Sequence, residues 1–230
     1  MNKKNQLGFI HKFIRSNNTE GIARGSGGGG EKEEMKIVPT FLLLHGTGGN
    51  EEDLISVGRE ISSEAAILSP RGKVLENGMP RFFRRLAEGV FDIEDLKFRT
   101  NELADFVINA SKVYGFDLQY VIAIGYSNGA NIASSMLLLR PEVLSTAILF
   151  RPMVPLVPEV LPDLANKHIF MSSGQYDPIV PKQETERLFS LFKKAGAEVS
   201  LYWQRSGHEL RIEEVKKAKE WVSSSSPLSH

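Results

Sequence analysis

The chain has 230 residues, of which 41% are hydrophobic and 24% charged, proportions that suit one soluble α/β domain with a real core. Lys and Arg together number 28, as do Asp and Glu, so the formal net charge is zero. Electrostatics therefore make no case for nucleic acid or an anionic membrane as the main partner. No cysteine is present, which excludes disulfides, thiolate catalysis and Cys-based zinc sites.

Met1 to Arg15 contains no apolar core of a secretion signal, and no apolar run approaches the ~18 residues of a membrane span. The reading is a cytoplasmic protein. Leu7 to Ile14 is apolar and aromatic and reads as a first strand, with Met35 to Val38 returning to complete an N-terminal hairpin. Between them, residues 24–36 are glycine-rich and then charged, a composition that buries nothing and reads as a flexible loop. No Lys-Ser/Thr pair and helix follow these glycines, so they do not form a phosphate-binding loop.

Thr40 to Leu44 is a short continuous apolar run, the pattern of a strand buried on both faces. Asn50 then caps a helix to about Ile61, and Ala65 to Leu68 is the next strand. Residues 73–95 lack a clean period and read as an excursion over the sheet, with Arg81, Arg84 and Arg85 on the solvated side of a short helix. Leu96 to Val113 has apolar residues at helical spacing. Tyr120 to Ile124 is the strongest strand, followed by a helix from Asn128 to Leu139. Strands at Thr146 to Phe150, Ile169 to Ser172 and Glu198 to Trp203 alternate with helices at Lys182 to Lys194 and Ile212 to Val222. Residues 223–230 read as a frayed tail. This alternation gives a single domain over 1–230 with a mostly parallel sheet covered by helices on both faces.

Gly125-Tyr126-Ser127-Asn128-Gly129 matches G-x-S-x-G between the strongest strand and a helix. That context forms a strained turn that presents a serine at the carboxyl edge of the sheet. Serine is a weak nucleophile until a base takes its proton. His208, in a loop between the last strand and last helix, is placed to be that base, whereas His168 opens a strand and reads as a surface residue. Asp177 is the one carboxylate in the turn after the Ile169 to Ser172 strand, which suits the acid that orients the imidazole. Asp163 precedes that strand and falls at the opposite edge.

A tetrahedral intermediate needs preorganised N–H donors for its oxygen. Asn128, next to the nucleophile, offers one, and Thr47 in the His45-Gly46-Thr47-Gly48-Gly49 loop offers the second. His45 ends a buried strand and reads as a structural residue that orders this loop. Phe82, Phe83, Met153 and Val154 are candidate walls of an apolar substrate pocket.

Together the Leu44 to Asn50 loop, the Gly125 to Asn131 elbow, the Gly174 to Pro181 turn and Ser206-Gly207-His208 resemble the phospholipase/carboxylesterase family of small α/β-hydrolases. Arg81-Phe82-Phe83-Arg84-Arg85 with Phe91-Asp92 resembles its bacterial branch sometimes linked to hydroquinone resistance. The resemblance covers about Phe41 to Val222. It implies an α/β-hydrolase fold, esterase or thioesterase activity on small acyl substrates, no metal or other cofactor, and frequent homodimers. Its catalytic Ser, Asp and His fall on Ser127, Asp177 and His208. The first reading is a serine-dependent carboxylic ester hydrolase acting on small acyl esters. The Gly-rich insertion and Asn128, where many relatives carry Gln, depart from the pattern. Thioester or acyl-protein hydrolysis by the same three residues, and a non-catalytic binding module, are the alternative functions.

Overall fold

The computed structural model describes residues 7–16 and 38–225. The glycine-rich segment 24–36 and residues 35–37 of the returning strand lie outside the described residues. Among the described residues seven strands form the central sheet: β1 (His11–Ile14), β2 (Thr40–Leu44), β3 (Ala66–Pro70), β8 (Val121–Tyr126), β9 (Thr146–Phe150), β10 (His168–Gly174) and β11 (Glu198–Gln204). Their order is β1-β3-β2-β8-β9-β10-β11. All neighbours pair in parallel except β1, which runs antiparallel to β3.

The period of two along the strands sorts side chains into two cores. From β2, Leu42 and Leu44 join one cluster and Phe41 and Leu43 the other; from β8, Val121 and Ala123 part likewise from Ile122 and Ile124. Helices α2 (Ile93–Tyr114), α3 (Asn128–Leu139) and α4 (Lys182–Lys194) cover the first face through Phe106, Val107, Met136 and Leu188. Helices α1 (Ile55–Ile61) and α5 (Ile212–Ser225) cover the second through Ile61, Val215, Ala218 and Trp221. Each fully buried Leu, Ile or Phe contributes roughly 1.5–3 kcal/mol relative to exposure. Among the described residues no helix is long and apolar enough to cross a membrane.

Several local boundaries differ from the sequence reading, each for a physical reason. Asn50 does not cap α1. Its Oδ1 accepts from the Glu52 amide at 2.8 Å, an Asx turn that delays the helix to Ile55. The start of α2 is Asp92, whose side chain accepts from the Asp95 amide, and Gly115 closes it in the left-handed conformation at φ 79°, an end that favours glycine. Residues 223–225 continue α5 rather than fray.

The excursion contains no helix at Arg81 to Arg85. It folds as two small antiparallel hairpins, β4 (Val74–Glu76) with β5 (Met79–Arg81) and β6 (Arg85–Ala87) with β7 (Val90–Phe91). Asn77 and Gly78 both have positive φ, 51° and 81°, the pairing demanded by a two-residue hairpin turn. Arg81 is 3% exposed rather than solvated. Its Nη1 donates to Glu76 and to Thr47 Oγ1, at 3.1 and 2.8 Å.

Candidate active site

Three residues distant in sequence meet at the carboxyl edge of the sheet. Ser127 lies between β8 and α3 with φ 51° and ψ −113°, a backbone strain of about 1–3 kcal/mol. Two glycines make that turn compact enough. A Cβ on Gly125 would lie 2.6 Å from Gly129 O, and one on Gly129 would lie 1.9 Å from Leu44 O. The Ser127 amide donates to Phe150 O at 2.8 Å, and its carbonyl accepts from Asn131 at 2.9 Å. Main-chain bonds thus hold the turn, and the hydroxyl makes no cap.

That hydroxyl is 2.9 Å from His208 Nε2. His208 Nδ1 is 2.8 Å from Asp177 Oδ2. Asp177 Oδ1 also accepts from the Ile179 and Val180 amides, at 2.8 and 3.0 Å. Burial pushes the Asp177 carboxyl up, but the His208 hydrogen bond and the two amides outweigh it and hold the group below its ordinary value of 3.8. An ionised Asp177 accepts the Nδ1 hydrogen. Nε2 is left as the acceptor for the serine hydroxyl. The Asp177 side chain is fully buried, while that of His208 keeps 19% exposure, so the imidazole stays partly open to the surface.

The opposite wall is the loop after β2. His45 is 2% exposed. The Gly72 amide donates to its Nε2 at 3.0 Å. Nε2 must then be unprotonated, so Nδ1 carries the hydrogen and donates to Gly46 O at 2.7 Å. Burial holds the pKa below its ordinary 6.5, consistent with a neutral structural ring. The Gly48 amide donates to Pro80 O and the Gly49 amide to Gly46 O, and Thr47, between Gly46 and Gly48, is exposed. Asn128 is 2% exposed. Its Oδ1 accepts from the Phe82 amide at 2.8 Å, so the excursion is fastened directly to the residue after Ser127. Asn128 Nδ2 has no hydrogen-bond partner among the described residues.

Of the candidate pocket residues, Met153 and Val154 line a cleft of about 680 Å3 together with Phe91, Ile93, Pro178 and Ile179. The last two follow Asp177 directly, so the cleft runs from the acid's turn. Phe82 and Phe83, 2% and 0% exposed, are in the core under the excursion and do not wall this cleft. Phe82 packs on His45, ring centroids 4.7 Å apart. His168 faces Glu198 at the start of β10, and Asp163 accepts from the Ala165 amide. Neither approaches Ser127.

Sequence reasoning missed Tyr126, Arg151 and Glu214. The Tyr126 hydroxyl donates to His208 O at 3.0 Å, and burial raises its pKa, which keeps it a donor. Arg151 and Glu214 form a buried ion pair behind the His208 loop. A signal for Glu214 was present: with Ala218 and Trp221 it falls on the apolar stripe of α5, where a carboxylate needs a buried cation.

The phospholipase/carboxylesterase family model matches residues 31–226 of this chain. The chain is 53% identical over 181 residues to the putative hydrolase MhqD of Bacillus subtilis (strain 168), covering 79% of this chain and 90% of that protein. Among solved structures it is similar to the Bacillus cereus carboxylesterase, at 47% identity and a TM-score of 0.85 over 95% of each chain. It is also similar to YahD, whose structure was determined with malic acid, at 31% identity and a TM-score of 0.82 over 94% of this chain and 99% of that one.

Proposed function

The chain belongs to the phospholipase/carboxylesterase family, and from that premise we propose that it is a serine-dependent carboxylic ester hydrolase acting on small acyl esters. The observation that carries this reading is the unbroken line from Ser127 Oγ to His208 Nε2 at 2.9 Å and from His208 Nδ1 to Asp177 Oδ2 at 2.8 Å. It starts from a serine whose strained backbone has no other evident use.

In the proposed mechanism, His208 removes the Ser127 proton as Oγ attacks the ester carbonyl. The amides of Thr47 and Asn128 donate to the oxygen of the tetrahedral intermediate, and such donors act most strongly when fixed in advance. His45, Pro80 and Gly46 fix the first loop; the start of α3 fixes the second amide. Asp177 stabilises the imidazolium and keeps its Nδ1 hydrogen in place. The imidazolium then gives its proton to the leaving alcohol. Water, activated by the same imidazole, releases the acid from the acyl-enzyme.

The test is a fluorophosphonate probe followed by peptide mass spectrometry, alongside a panel of p-nitrophenyl esters. Labelling at Ser127 and turnover of short esters are expected. Wild-type turnover in Ser127→Ala would overturn the proposal. An oxygen ester and a thioester sharing one acyl chain, compared by kcat/KM, locate the leaving-group preference.

A further inference from the structure

His208 sits in a loop, yet its imidazole is held 2.9 Å from a serine on another element. Arg151 follows the last residue of β9 and is fully buried. Its backbone adopts φ 57°, a conformation that disfavours residues with a side chain. Its amide donates to Ser172 O at 2.8 Å, so this bend is tied to β10.

The guanidinium reaches into the loop that carries His208. Nε donates to Gly207 O at 3.0 Å. Nη2 donates to Ser206 Oγ at 3.0 Å and to Glu209 O at 2.8 Å. Both residues flanking the imidazole, and the one before them, are thereby fixed by a single planar group. The acid's turn joins the same assembly through the Tyr176 amide, which donates to Ser206 O at 3.0 Å. Arg151 Nε lies 3.8 Å from Asp177 Oδ2, beyond hydrogen-bond distance.

Glu214 balances the charge. It accepts from Nη2 at 2.8 Å and closely from Nη1. Its remaining capacity is taken by Ser172 Oγ and by the Arg211 amide at 3.0 Å. A buried ion pair contributes little net stability beside an apolar pair of the same volume. What a guanidinium supplies that an apolar side chain does not is a rigid fork of donors in fixed directions.

We propose that Arg151, neutralised by Glu214, is a positioning residue that sets the His208 imidazole against Ser127; this rests on the catalytic reading of Ser127, His208 and Asp177. It touches no reacting atom and acts through the loop. Loss of the fork loosens the base, whereas the cleft at Met153 and Val154, the proposed substrate cleft, is lined by none of the residues the fork touches. The effect therefore falls on kcat and spares KM.

The experiment compares wild type, Arg151→Met/Glu214→Leu, Arg151→Lys and His208→Ala with p-nitrophenyl acetate, with folding checked by circular dichroism and thermal melting. The double variant removes both charges together. Expected are a folded double variant with KM within about 3-fold of wild type and kcat lowered about 100-fold, the scale of a misplacement of about 1 Å. Arg151→Lys keeps the charge but loses the fork, and is expected to lie between, with kcat down about 10-fold. A folded double variant with wild-type kcat overturns the positioning role. Should it not fold, Arg151→Lys decides: lowered kcat at unchanged KM supports the role, and unchanged kcat overturns it. Wild-type kcat in His208→Ala overturns the catalytic reading and this proposal with it, whereas an inactive His208→Ala beside fully active Arg151 variants overturns the positioning role alone.

Discussion

The two walls of the site are built by different physics. The Thr47 wall is held mainly by main-chain hydrogen bonds and a neutral buried ring, Gly48 to Pro80, Gly72 to His45, and His45 to Gly46, with the buried Arg81 guanidinium touching this loop at the Thr47 hydroxyl. The His208 wall is held by charge, with Arg151 and Glu214 buried behind it and Tyr126 in front. A wall meant to present an amide needs a fixed backbone. A wall meant to let a base accept and return a proton needs its loop fixed from behind and its ring left partly open.

This contrast can be broken by substitution. The largest effects are expected at the reacting atoms: Ser127→Ala and His208→Ala should each lower kcat by about 10⁴-fold or more with melting temperatures close to wild type, read by ester turnover and calorimetry. Wild-type rates in either would remove the reason to call one wall catalytic. Next, Phe83→Ala under the excursion should lose about 3–5 kcal/mol of stability, measured by urea unfolding. Met153 is 9% exposed in the cleft, and Met153→Ala should instead change KM with a smaller stability loss of about 2 kcal/mol; equal stability losses would show that the cleft and core are not separate.

A smaller effect is expected from Asn128→Ala. It keeps the amide but strips the acceptor from the buried Phe82 N–H, a loss of about 1–3 kcal/mol. The prediction fails if unfolding is unchanged. The mildest test is pH. His45 has a folded pKa below 6.5, so the unfolded chain takes up a proton first as pH falls. Its contribution is complete above the unfolded value and is lost as pH drops from 6.5 toward the folded pKa. Melting temperature should therefore decline with acidification in wild type, and less steeply in His45→Asn. Parallel curves would argue that burial does not hold this ring neutral.

Much of this architecture was readable from residues alone. The elements at Thr146–Phe150, Asn128–Leu139 and Lys182–Lys194 have clear periods and clear punctuation, and local chemistry decides their limits. The elbow was readable because its glycines are sterically required. The excursion was not, because its hairpin arms are three residues long or shorter, too brief to display alternation. Asn77-Gly78 was the available turn signal. Phe82 and Phe83 were read as pocket walls since an aromatic pair near an active-site loop has the same composition whether it faces inward or out. The Arg151–Glu214 pair joins residues 63 apart, and no local pattern records which buried charge meets which.

Strand β9 offers one more consequence. Phe150 receives the Ser127 amide, and the very next residue carries the fork that grips the His208 loop. Both partners of the proposed proton transfer are thus referenced to adjacent positions on a single rod. A displacement of β9 therefore moves both anchors together.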